Sequence, residues 1–410
     1  MGLALASSSQ IESVVGLSES PLYRRKFSSI YETLSEVEWD VATLLKAELE
    51  LFKESCETLA GYEIYSGDST FIKRNEAKTL ASRVMKRLSN GELAYGHETY
   101  WTTRLSNQQS SWSGIALVER MAEADTVTSM AAKQMKQLAT QHDHKKVFVF
   151  DAGHGLDLLQ AQRECQNTEV ILRVKSHQVF YYPPNYKGRG RPPKVGERFK
   201  LSDVSKEADS QHTISFKNKS LRISTWTGLQ TAQFMDIPLK MLRFEFLDST
   251  GKPLFDKPIW LVTTAITLEP ETIARAYLWR ASHELTFRFM KQHLGLTKNN
   301  SPELKACDAW FQLVALAMNS LLAMRGDLLI LAKPWYPQPI TQSVSQRQAQ
   351  KQALTFFLKL PDITQPPQLA GKALGRPLGY LPPPRTRYEV IRKTPKRHKP
   401  CPSCPFKLAA

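Results

Sequence analysis

Apolar residues recur at helical spacing from about Glu32 to Leu59, where Leu34, Val37, Val41, Leu44, Leu45 and Leu51 predict a helix. From Gly61 the period changes. Tyr62-Glu-Ile-Tyr65 leads to Asp68, and Glu92 to Thr103 and Ser113 to Met121 follow as alternating or short apolar runs. Three neighbouring antiparallel strands are expected, with Asp68 at the end of the first. Helical spacing returns over about Ala122 to Gln141, with Met130, Ala131, Met135 and Leu138 on one face. Lys146-Val-Phe-Val-Phe150 reads as a buried strand that ends at Asp151, and residues at strand ends face the crevice where α/β proteins bind ligands. A helix over about Leu156 to Glu164 and a strand over Thr168 to Val174 complete the order β-β-β-α-β-α-β.

Nearly all of the stretch between Val174 and Pro270 is rich in Tyr, Phe, Thr and Val. Leu221 to Thr227, Leu239 to Leu247 and Ile259 to Thr264 alternate, which predicts a β-rich insertion. A helix-period run then carries Tyr277, Arg280, Glu284 and Lys291. At about 100° per residue these four fall on one side of a cylinder, a carboxylate among cations and a phenol. Leu278, Leu285 and Phe289 form a separate stripe that is expected to pack on the core. Helices from Pro302 to Arg325 and from about Val344 to Leu358 follow, and the last fifty or so residues are Pro-rich and basic, expected to be extended or disordered in isolation. The chain divides into a helical region 1–60, an α/β core in two parts, 61–175 and 269–330, a β-rich insertion 176–268 and a basic tail 331–410.

Composition narrows the function. With 410 residues and 42% hydrophobic content the chain can bury a sizeable core. Its 55 Lys and Arg against 39 Asp and Glu give a net charge of +16, which favours a polyanionic partner such as double-stranded DNA. Ala309 to Met324 is apolar but interrupted by Gln312, Asn319 and Ser320, and reads as a buried helix rather than a membrane span. No secretory signal is expected in Met1 to Ser20, and the scattered cysteines Cys56, Cys165 and Cys307 suit a reducing compartment. Cytoplasmic residence and no membrane partner are the expectations.

Three carboxylates stand out: Asp68, Asp151 and Glu284. Convergent acids can hold two divalent hard cations, which activate a water and stabilise a leaving 3′ oxygen in phosphodiester chemistry. Taken singly each has a plain alternative. Asp68 could cap a helix, Asp151 could make a turn, and Glu284 could pair with Arg280 or Arg288. Asp157 and Asp143 compete for the second position and Glu63 for the first.

The spacing Tyr277-x2-Arg280-x3-Glu284-x6-Lys291, followed by Gln292-His-Leu-Gly-Leu296, resembles the signature of DDE transposases encoded by bacterial cut-and-paste insertion sequences. Asp68-Ser-Thr and Phe150-Asp151-Ala-Gly are similar to the regions around that family's first two acids, so the resemblance spans roughly Tyr62 to Leu296. His283 departs from it, since an aliphatic residue commonly precedes the glutamate, and Trp279 stands before Arg280 rather than after it. The resemblance implies an RNase H-like mixed sheet flanked by helices, interrupted by the β-rich insertion before the last catalytic helix. It implies that Asp68, Asp151 and Glu284 are catalytic and bind two Mg2+ (or Mn2+) ions, and that Tyr277, Arg280 and Lys291 hold the DNA backbone. Transposon ends and target DNA would be the partners, with a homodimer on paired ends.

Further segments are compatible with DNA. Arg189-Gly190-Arg191-Pro192 resembles the core of an AT-hook, an extended segment for a narrow A·T minor groove, and otherwise reads as a basic surface loop. Trp226 and Trp260 could stack on a flipped base, though core packing is the expected role. His154 beside Asp151 is expected to make a supporting hydrogen bond. His398, Cys401 and Cys404 offer three zinc ligands where structural zinc takes four, so no zinc is expected there.

Overall fold

The computed structural model describes residues 1–8, 11–107, 110–186, 188, 193–204, 206–216, 219–326, 344–359 and 375–393. The proposed groove-binding residues Arg189, Gly190, Arg191 and Pro192, and also His398, Cys401 and Cys404, lie outside them.

Helices α1 (Gly2–Ser7), α2 (Ser28–Glu36) and α3 (Val41–Ser55) open the chain. The single helix expected over Glu32 to Leu59 is broken at residues 37–40, because Asp40 leaves helical geometry and its carboxylate accepts from the Thr43 amide at 3.1 Å, starting α3 afresh. Val41, expected on the apolar stripe, is exposed at that cap. Next come β1 (Glu63–Lys73), β2 (Val84–Arg87), β3 (Leu93–Leu105), β4 (Ser113–Arg120), α4 (Val127–Ala139), β5 (Lys146–Phe150), α5 (Asp157–Gln162) and β6 (Thr168–Val174). β1, β3 and β4 pair antiparallel, while β1 with β5 and β5 with β6 are parallel. The order β4-β3-β1-β5-β6 is the RNase H-like arrangement.

The segment expected as an insertion supplies a small pair, β7 (Val179–Tyr181) with β8 (Arg198–Lys200), and then β9 (Ser210–Phe216), β10 (Lys219–Leu229), β11 (Leu239–Leu247) and β12 (Ile259–Thr263). β12 pairs antiparallel with β6, and β11, β10 and β9 follow outward. The core sheet therefore runs on through this segment. Trp226 and Trp260 are buried in it, with ring centroids 5.6 Å apart, so both serve packing.

Four helices end the described fold: α6 (Pro270–Trp279), α7 (Ala281–His293), α8 (Leu304–Met324) and α9 (Gln346–Phe357). α8 is long and apolar enough to cross a bilayer by length and composition alone, yet most of it is buried against β4, α1, α2 and α9. It is the central core helix. Both faces of the sheet are covered, as the alternation in β5 requires: Phe148 and Phe150 join the core with α4, α5 and α8, whereas Val147 and Val149 join a second core with α6. Part of the Pro-rich tail is ordered against the edge strand, with the Ile391 amide donating to Arg83 O at 2.8 Å and the Met85 amide to Ile391 O at 3.0 Å.

Candidate active site

β1 and β5 place the first two acids. Val149 is level with Ser66 in the parallel pair, and β5 ends one residue later, while β1 continues to Lys73 paired with β3 alone. Asp68 is therefore in mid-strand, opposite Trp101 of β3, not at a strand end. It lies just beyond the stretch that β5 pairs, level with the loop that begins at Asp151. Gly67 makes this close packing possible. A Cβ there would stand 2.3 Å from the Tyr100 hydroxyl, which passes beneath to meet His154 Nε2 at 3.0 Å. His154 Nδ1 in turn lies 3.1 Å from the Asp151 carbonyl, so one Tyr100–His154 pair fixes the loop after β5. Burial drops the His154 pKa to about 4, which keeps the ring neutral in this supporting role.

The third acid arrives on a broken helix. Residues 270–293 form α6 and α7 with the break at Arg280, although Arg280 keeps αR torsions. The break coincides with a change of core: Ile273, Ala274 and Tyr277 belong to the core of Val147 and Val149, whereas Phe287, Phe289 and Met290 belong to the larger core on the other face, where α7 meets β3, β4 and α9. The stripe expected from Leu278, Leu285 and Phe289 is only partly right. Phe289 is buried, but Leu285 is 38% exposed, and His283, Thr286 and Met290 turn inward instead. His283 Nδ1 meets the Thr103 hydroxyl at 2.7 Å, and full burial drops its pKa to about 3. An apolar neighbour is thus replaced by a neutral, hydrogen-bonded ring.

Arg280 is the meeting point. Its Nη1 lies 2.8 Å from Glu284 Oε1, and its Nη2 lies 3.5 Å from Asp68 Oδ2 and 3.6 Å from Asp151 Oδ2. All three candidate acids thus turn toward one guanidinium, whose side chain is only 11% exposed. Arg173 of β6 approaches Asp151 Oδ1 at 3.3 Å, and its charge also acts on Tyr277. Lys291 is exposed, with its charge near Asp68. Partial desolvation lowers its pKa and the Asp68 charge opposes that shift. Tyr277, Arg280, Glu284 and Lys291 therefore gather around the two aspartates.

The two aspartates differ electrostatically. Burial raises the Asp68 pKa above the usual carboxylate value; Arg280 and the Ser69 amide oppose this, while the charges of Asp151 and Glu284 add to it. Burial also pushes Asp151 upward, but Arg280, the Ala152 amide and Arg173 together outweigh it and hold the pKa low. Three like charges in one small volume are met by Arg280, by Arg173 on Asp151 alone and by Lys291 near Asp68. The competing acids lie elsewhere: Glu63 is buried against Arg104 at the opposite end of β1, and Asp143 and Asp157 are exposed. Arg173 and Tyr100 escaped the reading of the sequence. A lone arginine interrupting the apolar run Val170-Ile-Leu-Arg-Val174 was the available signal for the first.

The chain belongs to the DDE superfamily endonucleases, whose family model matches residues 2–233. The matched segment holds Asp68 and Asp151 and ends just after β10, before Glu284. Among solved structures, the chain is similar to one described as the cryo-EM structure of piggyBac transposase synaptic complex with hairpin DNA, at 12% identity and a TM-score of 0.39. That alignment covers 82% of this chain and 62% of the other, so the chain spans less than two thirds of the length of that protein. Comparison with curated proteins gives no match.

Membership of this family implies use of a divalent metal. The donor set fits one. Asp68, Asp151 and Glu284 offer only carboxylate oxygens, which hard divalent cations prefer, and they already converge on a positive charge.

Proposed function

We propose that the protein is a DNA transposase that cleaves DNA at transposon ends and joins the freed 3′ ends to target DNA. The observation that carries the reading is the convergence of Asp68, Asp151 and Glu284 on Arg280 in an RNase H-like sheet. Asp68, Asp151 and Glu284 are the residues that would hold Mg2+ (or Mn2+). Once bound, two such ions supply Lewis-acid stabilisation of charge on phosphate and on the attacking and leaving oxygens. The chain's own cations do the positioning. Displaced from the carboxylates, Arg280 can turn its guanidinium to a phosphate, with Lys291 and the Tyr277 hydroxyl beside it. Buried Tyr100 and His154 keep the Asp151 loop in place throughout.

On this reading the partners are double-stranded transposon ends and target DNA, bound as a homodimer that pairs two ends, in the bacterial cytoplasm at the nucleoid. Residues 61–175 and 269–330 form the catalytic part and 176–268 its insertion, while 1–60 and 331–410 flank them. Arg189, Gly190, Arg191 and Pro192 contribute minor-groove contacts. Labelled end DNA, a supercoiled plasmid and Mg2+ provide the test: joined products are expected, and Asp151→Ala or Glu284→Ala should abolish them while DNA binding persists. Cleavage without joining would leave a metal-dependent nuclease. Equal activity in the variants would sink the reading altogether.

A further inference from the structure

A second group of potential ligands sits at the opposite end of the same two strands. Glu63 begins β1, and the His142-Asp143-His144 loop leads into β5. One ligand atom from each of Glu63, His142 and His144 lies within 4.8 Å of the others. His142 Nε2 is 3.4 Å from Glu63 Oε2, and His144 Nδ1 is 3.1 Å from Glu63 Oε1. The two imidazoles face one carboxylate with their centroids 4.6 Å apart and their planes tilted by 60°. We propose that Glu63, His142 and His144 form a zinc site, separate from the acidic cluster, that ties β1 to the start of β5.

The surroundings are built for presentation of ligands. The buried Lys146 ammonium donates to the carbonyls of His142 at 2.6 Å and His144 at 3.0 Å, and Asn167 Nδ2 donates to that of Asp143 at 3.1 Å. Every carbonyl of the His-Asp-His loop is thereby anchored from outside it, which fixes the loop backbone opposite Glu63. Arg104, 3.0 Å from Glu63 Oε1, and the Tyr65 hydroxyl, donating at 3.0 Å to Oε2, hold the carboxylate itself. Supporting partners of this kind orient metal ligands in general. Two imidazoles and one carboxylate are borderline donors that suit Zn2+ over Mg2+, and a tetrahedral ion needs a fourth ligand. Water can supply it from the adjoining cleft of about 530 Å3, lined by Glu63, Arg104 and His144. The nearby cations Arg104, Lys146 and Arg325 disfavour a further positive charge of high density, so a moderate affinity is expected.

Zn2+ binding by the full chain is measured by competition with a chromophoric chelator, and coordination by the visible spectrum of the Co2+ form. The wild type and Asp151→Asn should both bind an ion showing the intense absorption of tetrahedral Co2+. His144→Asn should weaken binding more than about tenfold, and His142→Asn/His144→Asn should abolish the tetrahedral spectrum. Circular dichroism of each variant separates ligand loss from misfolding, and His144, being exposed, tolerates the change. Absence of a tetrahedral spectrum in the wild type overturns the proposal, as does its survival in the folded double variant.

Discussion

The two ends of the β1–β5 pair each carry a buried or half-buried carboxylate beside an arginine, and they are put together on opposite principles. At the start of the strands Glu63 is 3% exposed and receives Arg104, Tyr65 and two histidines, so its oxygens are held from all sides. At the far end three acids share one guanidinium, at contacts of 3.5 and 3.6 Å for the aspartates, and the Glu284 side chain remains 60% exposed. The first end has its charges matched. The second has longer, partly exposed contacts and room to exchange its cations, which suits a pair of divalent ions together with phosphate.

That contrast can be broken most strongly by removing a single acid. Glu284→Gln is expected to lower metal-dependent DNA cleavage by at least about 1,000-fold, on the order of 4 kcal/mol of barrier, with the melting temperature nearly unchanged. A variant that cuts normally would show that this end holds no chemistry. Arg104→Met should behave in reverse, because it strands a buried carboxylate. Roughly 3–5 kcal/mol of folding stability should be lost in urea titrations, and a loss below about 1 kcal/mol would mean that Glu63 is neutralised in some other way.

Gly67→Ala tests the packing under Asp68. Its Cβ would meet the Tyr100 hydroxyl, and a cost of about 1–3 kcal/mol is expected, together with slower cleavage. Tyr100→Phe in the same chain should recover part of both, since the closest clash is with the oxygen. No recovery would place the strain elsewhere.

The smallest effects sharpen the comparison within the acidic end itself. Asp68 has a raised pKa in the folded state, so whatever it contributes is present at low pH and lost as pH rises through that value. At pH 7 its charge is a cost. Asp151 has a lowered pKa, so its contribution is present at pH 7 and lost as pH falls through the folded value, below the usual carboxylate range. In the metal-free protein Asp68→Asn should therefore raise stability and Asp151→Asn should lower it. Both changes should stay within about 1 kcal/mol because both groups are partly exposed. Equal signs in thermal melts at pH 7 would contradict the asymmetry.

Much of this was legible in the residue pattern, and the failures share a cause. β5 and Asp151 were clear because a short apolar run stops abruptly at a carboxylate. Asp68 was put at a strand end because apolar alternation fades after Tyr65, whereas the strand continues through hydrogen bonds to β3 that depend on no apolar residue. Leu285 was assigned to a core stripe on the assumption of one unbroken helix with one buried face. The change of core at Arg280 shifts the inward face to His283, Thr286 and Met290. The partners of Arg104, Tyr100 and Arg173 are not legible in the sequence for a different reason. Those partners, Glu63, His154 and Asp151, are remote in sequence, and only the folded sheet brings them together.

Arg280 keeps αR torsions, and α7 follows α6 with no loop between them. Deleting one residue between Arg280 and Glu284 would draw the glutamate back about 1.5 Å and turn it by about 100°, off the two aspartates and out of their reach. Insertions after Lys291 carry no such penalty. The helical pitch from Arg280 to Glu284 therefore fixes the length of this interval, because the glutamate meets the two aspartates in one register only.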